Sequence, residues 1–268
     1  MAIIPHKNFV RDAVEVEVQD PQRAYIGMSG IGHPCARKVW YDFRHCYIPI
    51  RSARQMRIFE RGDIEEDRVV RDLTEAGMDV HSRQYPLVDQ TGHIRGHIDG
   101  VVVNVPGAEK TEHLLEVKTM NNARFKDYLK KGLKQTSFAY YVQMNQYMGY
   151  LNLKRCLFVV TNKDNEERDY QRYEFDRENF DDYRRVAFSI LTAEVPPPRI
   201  GEPFFLECKL CDAKEICHKG VAFNKHCRNC QKSSIEWHGK WTCDLKECEL
   251  DHEAQKAACD EYDPIDNV

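Results

Sequence analysis

The sequence has no apolar run that approaches the roughly 20 residues a membrane-spanning helix needs. Its N-terminal stretch, MAIIPHKNFV, also lacks the basic start and apolar core of a secretory signal peptide. Charged residues make up 31% of the 268 residues. These features argue against a membrane or secreted protein. They predict a location in the cytoplasm.

An excess of positive charge is lacking as well. The chain has 39 Lys and Arg against 43 Asp and Glu, which gives a formal net charge of -4. Proteins that coat nucleic acid are usually basic overall, so any contact with nucleic acid is expected to come from a local groove. Internal repeats and low-complexity tracts are also missing, so nothing indicates a repeat architecture.

Cysteine, in contrast, is abundant. Of the 11 cysteines, three are scattered at Cys35, Cys46 and Cys156, and the others fall between Cys208 and Cys259. Disulfides are rare in the cytoplasm. Clustered cysteines in a reducing compartment therefore predict metal ligation.

The pattern of apolar residues predicts a mixed α/β fold. Helices are expected over residues 52–77, 122–149 and 176–195, and strands over 78–88, 93–105, 113–120 and 154–163. The first segment is expected to form one helix, or two divided at Gly62, and Gly132 is expected to interrupt the second. This order predicts a mixed sheet flanked by helices. A Pro-rich linker at 196–203 leads to a Cys-rich tail with too few apolar residues for its own core, so bound metal is expected to hold it.

An acid and an acid–lysine pair stand on two neighbouring predicted strands. GHIDG ends with Asp99 next to a glycine, and HLLEVKTM carries Glu116 and Lys118 two residues apart. In a hairpin of these strands, Glu116 and Lys118 point to one face and Asp99 lies at an adjacent position. Such a group suits Mg2+ with a substrate phosphate. The alternative is that Asp99 caps a turn and that the Glu-x-Lys stretch is a solvated strand face.

Two further motifs flank this group. FERGDIEED (59–67) carries two glutamates after a glycine, and YYVQMNQYMGY (140–150) carries a glutamine and a tyrosine four residues apart. In this order, over residues 59–147, the motifs resemble those of the PD-(D/E)XK nuclease superfamily, and within it the RecB-like exonuclease branch. The resemblance implies a restriction-endonuclease-like sheet flanked by helices and a metal-dependent hydrolysis of DNA.

The resemblance also implies roles for the central residues. Asp99, Glu116 and the backbone carbonyl of Val117 would bind Mg2+ or Mn2+. Lys118 would position the attacking water and stabilise the charge that develops on phosphorus.

Three supporting residues follow from the same resemblance. The helical glutamate of the family is best matched by Glu66, with Glu65 as the alternative. Gln143 and Tyr147 would support the lysine and the DNA backbone.

A first group of cysteines joins distant parts of the sequence. Cys208, Cys211 and Cys217 have the spacing C-x2-C-x5-C, and Cys35 lies far upstream. One distant cysteine with this spacing resembles the iron–sulphur site of AddB and of the CRISPR-associated RecB-like exonucleases. The resemblance implies a [4Fe-4S] cluster on four thiolates that ties the C-terminal segment to an N-terminal helix. The alternative is a buried Cys35 and a zinc site that includes His218.

A second group lies in the tail. Its spacing is C-x2-C-x12-C-x4-C, formed by Cys227, Cys230, Cys243 and Cys248. The intervening SSIEWHGKWT is typical of a hairpin, and two cysteine pairs joined by a hairpin predict a zinc ribbon. The second pair is irregular, so Cys259 or His252 remains an alternative fourth ligand. In either case a structural zinc is expected.

Basic residues near the motifs are candidates for contact with DNA phosphates. Arg54, Arg57 and Arg61 recur on one helical face, and Arg124 and Lys126 follow the lysine motif. A solvated charged face is the alternative. Three aromatic residues could stack on bases or belong to the core: Phe138, Tyr140 and Tyr141.

These observations predict a nuclease domain over residues 1–220, closed by the iron–sulphur site, and a zinc-ribbon-like tail over 221–268. The predicted activity is that of a DNA exonuclease in recombination, repair or phage DNA processing. DNA is the expected partner, and a recombination or annealing protein is a further candidate. The alternatives are a structure-selective or spacer-processing endonuclease, a non-catalytic DNA-binding module on a nuclease fold, and a regulator that senses oxidants through the cluster.

Overall fold

The computed structural model describes residues 14–20 and 22–267. The strands are β1 (Val18–Gln19), β2 (Ile26–Gly27), β3 (Ile50–Arg51), β4 (Asp79–His81), β5 (Pro86–Val88), β6 (Ile94–His97), β7 (Gly100–Val103), β8 (His113–Met120), β9 (Arg155–Asn162), β10 (Arg168–Glu174), β11 (Ser233–Ile235), β12 (Trp241–Cys243) and β13 (Cys248–Glu249). The helices are α1 (Ala36–Phe43), α2 (Ala53–Glu75), α3 (Asn122–Lys131), α4 (Leu133–Thr136), α5 (Phe138–Leu151), α6 (Arg177–Thr192), α7 (Leu206–Lys209), α8 (Lys214–His218) and α9 (His252–Ala257). The predicted mixed α/β architecture is confirmed.

The central sheet has five strands in the order β10-β9-β8-β7-β4. β8 and β9 are parallel, and the other neighbouring strands are antiparallel. Parallel neighbours need a long crossover connection, which here contains α3, α4 and α5. The crossover brings α5 back against β8, so side chains of α5 meet the middle strand of the sheet.

The two faces of β8 contact different layers, because successive side chains of a strand point to opposite faces. Leu115 and Val117 pack with Val69 of α2 in one buried cluster. Glu116 and Lys118 point to the other face, toward α5. The strand period therefore brings the predicted acid and lysine together on one side of the sheet.

α2 is one continuous helix, so the single helix is the correct alternative for residues 52–77 and Gly62 does not break it. Ser52 begins the helix with a capping box, in which its side chain accepts a hydrogen bond from the Gln55 backbone. A glycine inside a helix costs only about 1 kcal/mol, and a helix this long tolerates it. The predicted interruption at Gly132 is confirmed, since its φ of 79° ends α3 and precedes α4.

Two of the predicted strands are each divided into two. Residues 93–105 form β6, which belongs to a separate sheet of order β2-β6-β5, and β7, which belongs to the central sheet. Asp99 lies in the gap between them. Residues 78–88 likewise form β4 and β5, separated by left-handed φ angles of 53° at Ser82 and 52° at Gln84. Both gaps hold polar residues next to the candidate site.

The tail packs onto the rest of the protein. Trp241, Leu250 and Ile265 are buried in the same cluster as side chains of α1 and α5. The predicted hairpin is confirmed as β11 and β12, joined through His238 and Gly239 with φ angles of 63° and 77°, as a tight hairpin turn requires. The tail thus shares the core of the protein, and the domain division at 220/221 remains a prediction. Among the described residues, no helix is both long and apolar enough to cross a membrane.

A buried histidine pair links the tail to the segment after α1. His45 Nδ1 lies 3.1 Å from His226 Nε2, and both rings are buried. Burial, followed by the charge of Arg228, lowers the pKa of His45 to about 4. Burial and the proximity of His45 lower the pKa of His226 to about 3. Only the neutral rings fit this arrangement.

The pair predicts a loss of stability in acid. An unfolded histidine has a pKa of about 6.5, so the unfolded chain binds more protons than the folded one between about pH 6.5 and 4. The stabilisation is complete above that range and is lost as the pH falls through it. We expect the free energy of unfolding in urea to fall by about 5 kcal/mol across this range, with about half from each ring, and the His226→Gln variant to show a smaller slope. The exposed His81, changed to Gln, is the control, and an equal slope in the wild type and His226→Gln would contradict the prediction.

Candidate active site

Asp99 is fixed to β8 at the start of β7. In the hairpin register Gly100 pairs with Leu115, which places Asp99 beside Glu116. Asp99 Oδ2 accepts a hydrogen bond from the Val117 backbone N–H at 2.7 Å and lies 4.0 Å from Lys118 Nζ. The hairpin that the sequence predicts is therefore present, and it brings the aspartate to the lysine.

Lys118 lies among three acceptor groups of this cluster. Its ammonium donates to Glu116 Oε1 and to the Val117 carbonyl oxygen at 3.1 Å. The Val117 carbonyl thus lies on the same side as the two carboxylates. One ammonium, two carboxylates and one carbonyl oxygen meet in a small volume.

Glu116 is fully buried and is held from α5. Gln143 Nε2 donates to Glu116 Oε1 at 2.7 Å and lies 3.4 Å from the hydroxyl of Tyr147. The other oxygen of Glu116, Oε2, is buried and has no hydrogen-bond partner among the described residues. A carboxylate oxygen left in this way is costly unless a cation binds it.

Gly96 of β6 leaves room for Tyr147. A Cβ atom at this glycine would lie 2.6 Å from Cε1 of the Tyr147 ring, so a larger residue would push the ring away. Gly96 opens the GHIDG motif, which accounts for a glycine at that place.

Adjacent glutamates of α2 have different environments. Glu66 accepts hydrogen bonds from Gln84 Nε2, the shorter at 2.9 Å, and from Arg83 at 3.2 Å. Its pKa is raised, first by burial and then by the negative charge of Asp99. Glu66 therefore belongs to the cluster around Asp99.

Glu65 points to a different set of partners. Its Oε1 accepts hydrogen bonds from Arg168 Nη2 at 2.5 Å and from the Thr161 hydroxyl at 2.8 Å. This buried ion pair ties α2 to β9 and β10. Of the two glutamates that the sequence leaves open, Glu66 is the one that lies beside Asp99.

Three carboxylates lie in this site with two cations, the Lys118 ammonium beside Glu116 and Asp99 and the Arg83 guanidinium beside Glu66. Burial raises the pKa of Glu116, and Lys118 only partly offsets the effect. Burial opposes the charge on Lys118, but Glu116 and Asp99 outweigh it and raise the pKa of the amine. With Glu66 the cluster has more acid than base, so a cation is the group that would relieve it.

The predicted DNA-contacting residues lie on the surface, and two of them already have acidic partners. Arg57 pairs with Glu15 at 2.8 Å, and Arg61 pairs with Glu166 at 2.9 Å. Arg54, Arg124 and Lys126 are also exposed. Exposed ion pairs contribute little and exchange easily with other anions.

The four cysteines of the first group line one cavity: Cys35, Cys208, Cys211 and Cys217. Burial raises the pKa of the Cys208 thiol, and the nearby Cys35 and Cys217 raise it further. His218 lines the same cavity, so it stays an alternative ligand. The fold thus brings residue 35, just before α1, to the segment that contains α7 and α8.

In the tail, Cys259 and not Cys248 joins the other cysteines. Cys227, Cys230, Cys243 and Cys259 line one small cavity, whereas Cys248 is exposed and lies outside it. Burial and the three neighbouring thiols raise the pKa of Cys227. His252 is outside the cavity as well.

Within residues 14–20 and 22–267, no three His, Cys, Asp or Glu side chains form a ready group that could hold a metal ion. The thiols therefore share cavities without occupying ligating positions. At the carboxylates, the donor set is two carboxylates and one carbonyl oxygen, which suits Mg2+ or Mn2+. The unpartnered Glu116 Oε2 fits such an ion.

One residue of the site has a contact that the sequence did not predict. Tyr140 of α5 lies with its ring centroid 5.5 Å from Lys118 Nζ. The signal that would have found it is its spacing, because Tyr140, Gln143 and Tyr147 fall on one helical face. The nearby Phe138 and Tyr141 favoured a core role for all three aromatic residues, with stacking on bases as the alternative.

No family model and no curated protein matches the chain. Its fold is similar to two crystal structures of LHK-Exo, an alkaline exonuclease from Laribacter hongkongensis, one of them in complex with dAMP. Each has a TM-score of 0.47 and matches 63% of this chain. The dAMP complex is 18% identical in sequence, and the match spans 86% of its chain. The other structure is 19% identical, and the match spans 87% of its chain. SSO0001 is similar with a TM-score of 0.46 and 17% identity, over 74% of this chain and 88% of its own. At these values the similarity describes the fold in outline only.

Proposed function

We propose that the protein is a metal-dependent DNA exonuclease whose active site is formed by Asp99, Glu116 and Lys118. The observation that carries the proposal is the buried Glu116 carboxylate, which has one oxygen on Lys118 and Gln143 and the other without a partner in the described part of the chain. Buried carboxylates are normally satisfied. A divalent cation at the unpartnered oxygen would complete the site, and a cation between carboxylates and a lysine suits phosphoryl chemistry.

Each residue has a role in the hydrolysis. Asp99, Glu116 and the Val117 carbonyl would hold Mg2+ or Mn2+. When bound, this ion neutralises charge on the phosphate and promotes ionisation of water. Lys118 donates hydrogen bonds to the attacking water and to a non-bridging phosphate oxygen. The water oxygen forms a bond to phosphorus and gives up one proton to solvent, one ester P–O bond breaks, and the departing oxygen takes up a proton from solvent.

Four side chains keep these groups in place. Gln143 fixes Glu116 from α5, and Tyr147 packs beside it over Gly96. Gln84 and Arg83 hold Glu66, which adds negative charge next to Asp99 and thereby favours the cation. The exposed Arg54, Arg57, Arg61, Arg124 and Lys126 would contact DNA phosphates.

The alternative of a non-catalytic DNA-binding module is disfavoured by the intact set of Asp99, Glu116 and Lys118. A surface that only binds DNA has no need of a carboxylate buried against a lysine. The choice of an exonuclease over an endonuclease comes from the resemblance to the RecB-like exonuclease branch, as does the expected role in recombination, repair or phage DNA processing.

The direct test uses end-labelled linear duplex and single-stranded DNA with Mg2+, Mn2+ or EDTA. We expect cleavage with either metal and none with EDTA. Asp99→Asn is expected to be inactive at the same DNA concentration, while the exposed Asp79→Asn acts as the matched control. Metal-dependent cleavage that persists in Asp99→Asn would refute the assigned site.

We also propose that Cys35, Cys208, Cys211 and Cys217 bind a [4Fe-4S] cluster. Four thiols from two distant segments in one cavity suit a cluster that ties those segments together. Protein purified without oxygen is expected to contain iron and sulphide and to absorb visible light. Protein that contains zinc and no iron, with His218 as one of the zinc ligands, would contradict this assignment.

The tail cysteines are proposed to bind a structural zinc through Cys227, Cys230, Cys243 and Cys259. The shared cavity supports this set, and four thiolates are a common ligand set for structural zinc.

Cys259→Ser is expected to remove this zinc and to lower the melting temperature by roughly 5 °C or more. Cys248→Ser, a matched change in the same tail, is expected to keep both the zinc and the melting temperature. Metal analysis of the purified variants and thermal unfolding followed by circular dichroism measure the two effects. Loss of zinc in Cys248→Ser and not in Cys259→Ser would show that Cys248, and not Cys259, is the fourth zinc ligand.

A further inference from the structure

Tyr140 contacts the lysine of the proposed site through its ring. The ring is half-buried on α5, and Lys118 Nζ lies 5.5 Å from its centroid. Tyr140 lies three residues before Gln143 and seven residues before Tyr147, so all three side chains are on the same face of the helix. An ammonium at this distance from an aromatic ring is attracted by the negative charge of the ring face.

A second cation shares the same ring. The guanidinium carbon of Arg124 lies 6.0 Å from the Tyr140 centroid, and Arg124 Nη2 donates to the Ser137 hydroxyl at 3.1 Å. Within the described part of the chain, no carboxylate pairs with Arg124, whereas Lys118 is paired with Glu116. The Tyr140 ring therefore has two cations within 6.0 Å of its centroid. Of these two, Lys118 is paired with a carboxylate and Arg124 is not, among the described residues.

This arrangement is suited to an anion that arrives with the substrate. Two like charges near one ring repel each other, and Arg124 is exposed, so a phosphate can reach it from solvent. Arginine binds phosphate through two parallel hydrogen bonds. Because the two cations lie near one ring, a single DNA strand can meet both through successive phosphates.

We propose that Tyr140 is a positioning residue that holds Lys118 at the scissile phosphate and Arg124 at the adjacent phosphate of the same strand. The proposal rests on the proposed nuclease function and adds to it a substrate contact and the residue that organises it. Tyr140 acts through the two cations and takes no part in bond breaking. Its ring, and not its hydroxyl, carries the role.

The test replaces Tyr140 with phenylalanine and then with phenylalanines that carry one, two or three fluorine atoms. Fluorination weakens the negative face of the ring while its volume changes little, so the fold is preserved. We expect Tyr140→Phe to stay within about twofold of the wild-type kcat/KM, and kcat/KM to fall stepwise to about a tenth with the trifluorinated ring. A flat series in a protein that cleaves DNA would overturn the proposal, whereas an inactive wild type would refute the nuclease function itself.

A second measurement asks whether Tyr140 acts through Arg124. Arg124→Gln is expected to raise KM about tenfold in the Tyr140→Phe background and only about twofold with the trifluorinated ring. Equal effects in both backgrounds would overturn the coupling. The same fluorinated series at Tyr141 is the control. Its ring lies 5.0 Å from Lys134 and outside the carboxylate cluster, so we expect kcat/KM to remain constant along that series.

Discussion

Replacing Lys118 with methionine is expected to lower the rate of DNA cleavage by about a thousandfold. Methionine keeps an unbranched apolar stem but removes the ammonium that reaches Glu116 and the Val117 carbonyl. Without it, no positive side chain would face the attacked phosphate from β8. Single-turnover cleavage of end-labelled DNA at saturating Mg2+ measures the change.

The control for this change is Lys130→Met on the exposed side of α3, which should cleave at the wild-type rate. Circular dichroism is expected to give the same fold for both variants, because the Lys118 stem stays in place. A wild-type rate in Lys118→Met would show that the assigned lysine does not take part in the reaction.

The adjacent glutamates of α2 are expected to respond in opposite ways. Glu66→Gln should lower the cleavage rate roughly 10- to 100-fold with little change in stability, because the charge beside Asp99 is lost while the hydrogen bonds from Gln84 can be rearranged. Glu65→Gln should cleave DNA at nearly the wild-type rate and lose about 2–3 kcal/mol of stability, because Arg168 loses its buried charged partner and keeps only the more exposed Asp72.

Cleavage rates and urea unfolding of the two variants separate these outcomes. The pair is well matched, since the same substitution is made at neighbouring positions of one helix. If Glu65→Gln were the inactive and stable variant, the helical glutamate of the site would have to be reassigned to Glu65.

The sequence predicted the centre of the candidate site because that centre depends on local periodicity. Glu116 and Lys118 are two residues apart in a strand, and Gln143 and Tyr147 are four apart in a helix, so each pair must share a face. The hairpin then brings Asp99 next to Glu116. These relations are fixed by backbone geometry and need no knowledge of the rest of the fold.

Contacts between residues that are distant in sequence could not be predicted from local periodicity. Spacing favoured Cys248 as a tail ligand. The segment after α9, however, returns beside Cys227 and Cys230, where the backbone nitrogen of Asp263 lies 3.5 Å from Cys230 Sγ. That return carries Cys259 into the cavity. The division of residues 93–105 between two sheets also escaped prediction, since β-branched residues recur on both sides of Asp99.

Tyr140 is an intermediate case. Its spacing from Gln143 places it on the correct face, but a run of aromatic residues is equally typical of a core helix. Only the distance to Lys118 distinguishes the two, and that distance depends on how α5 packs against β8.

The central claim is that Asp99, Glu116 and Lys118 form a metal-dependent site that degrades DNA from an end. The most direct measurement incubates linear and covalently closed circular DNA together with the wild-type protein, in Mg2+ and in EDTA. We expect the linear DNA to be lost in Mg2+ only, while the circles remain intact. Nicked circles would contradict the exonuclease assignment, and intact DNA of both forms in Mg2+ and in Mn2+ would contradict the nuclease function.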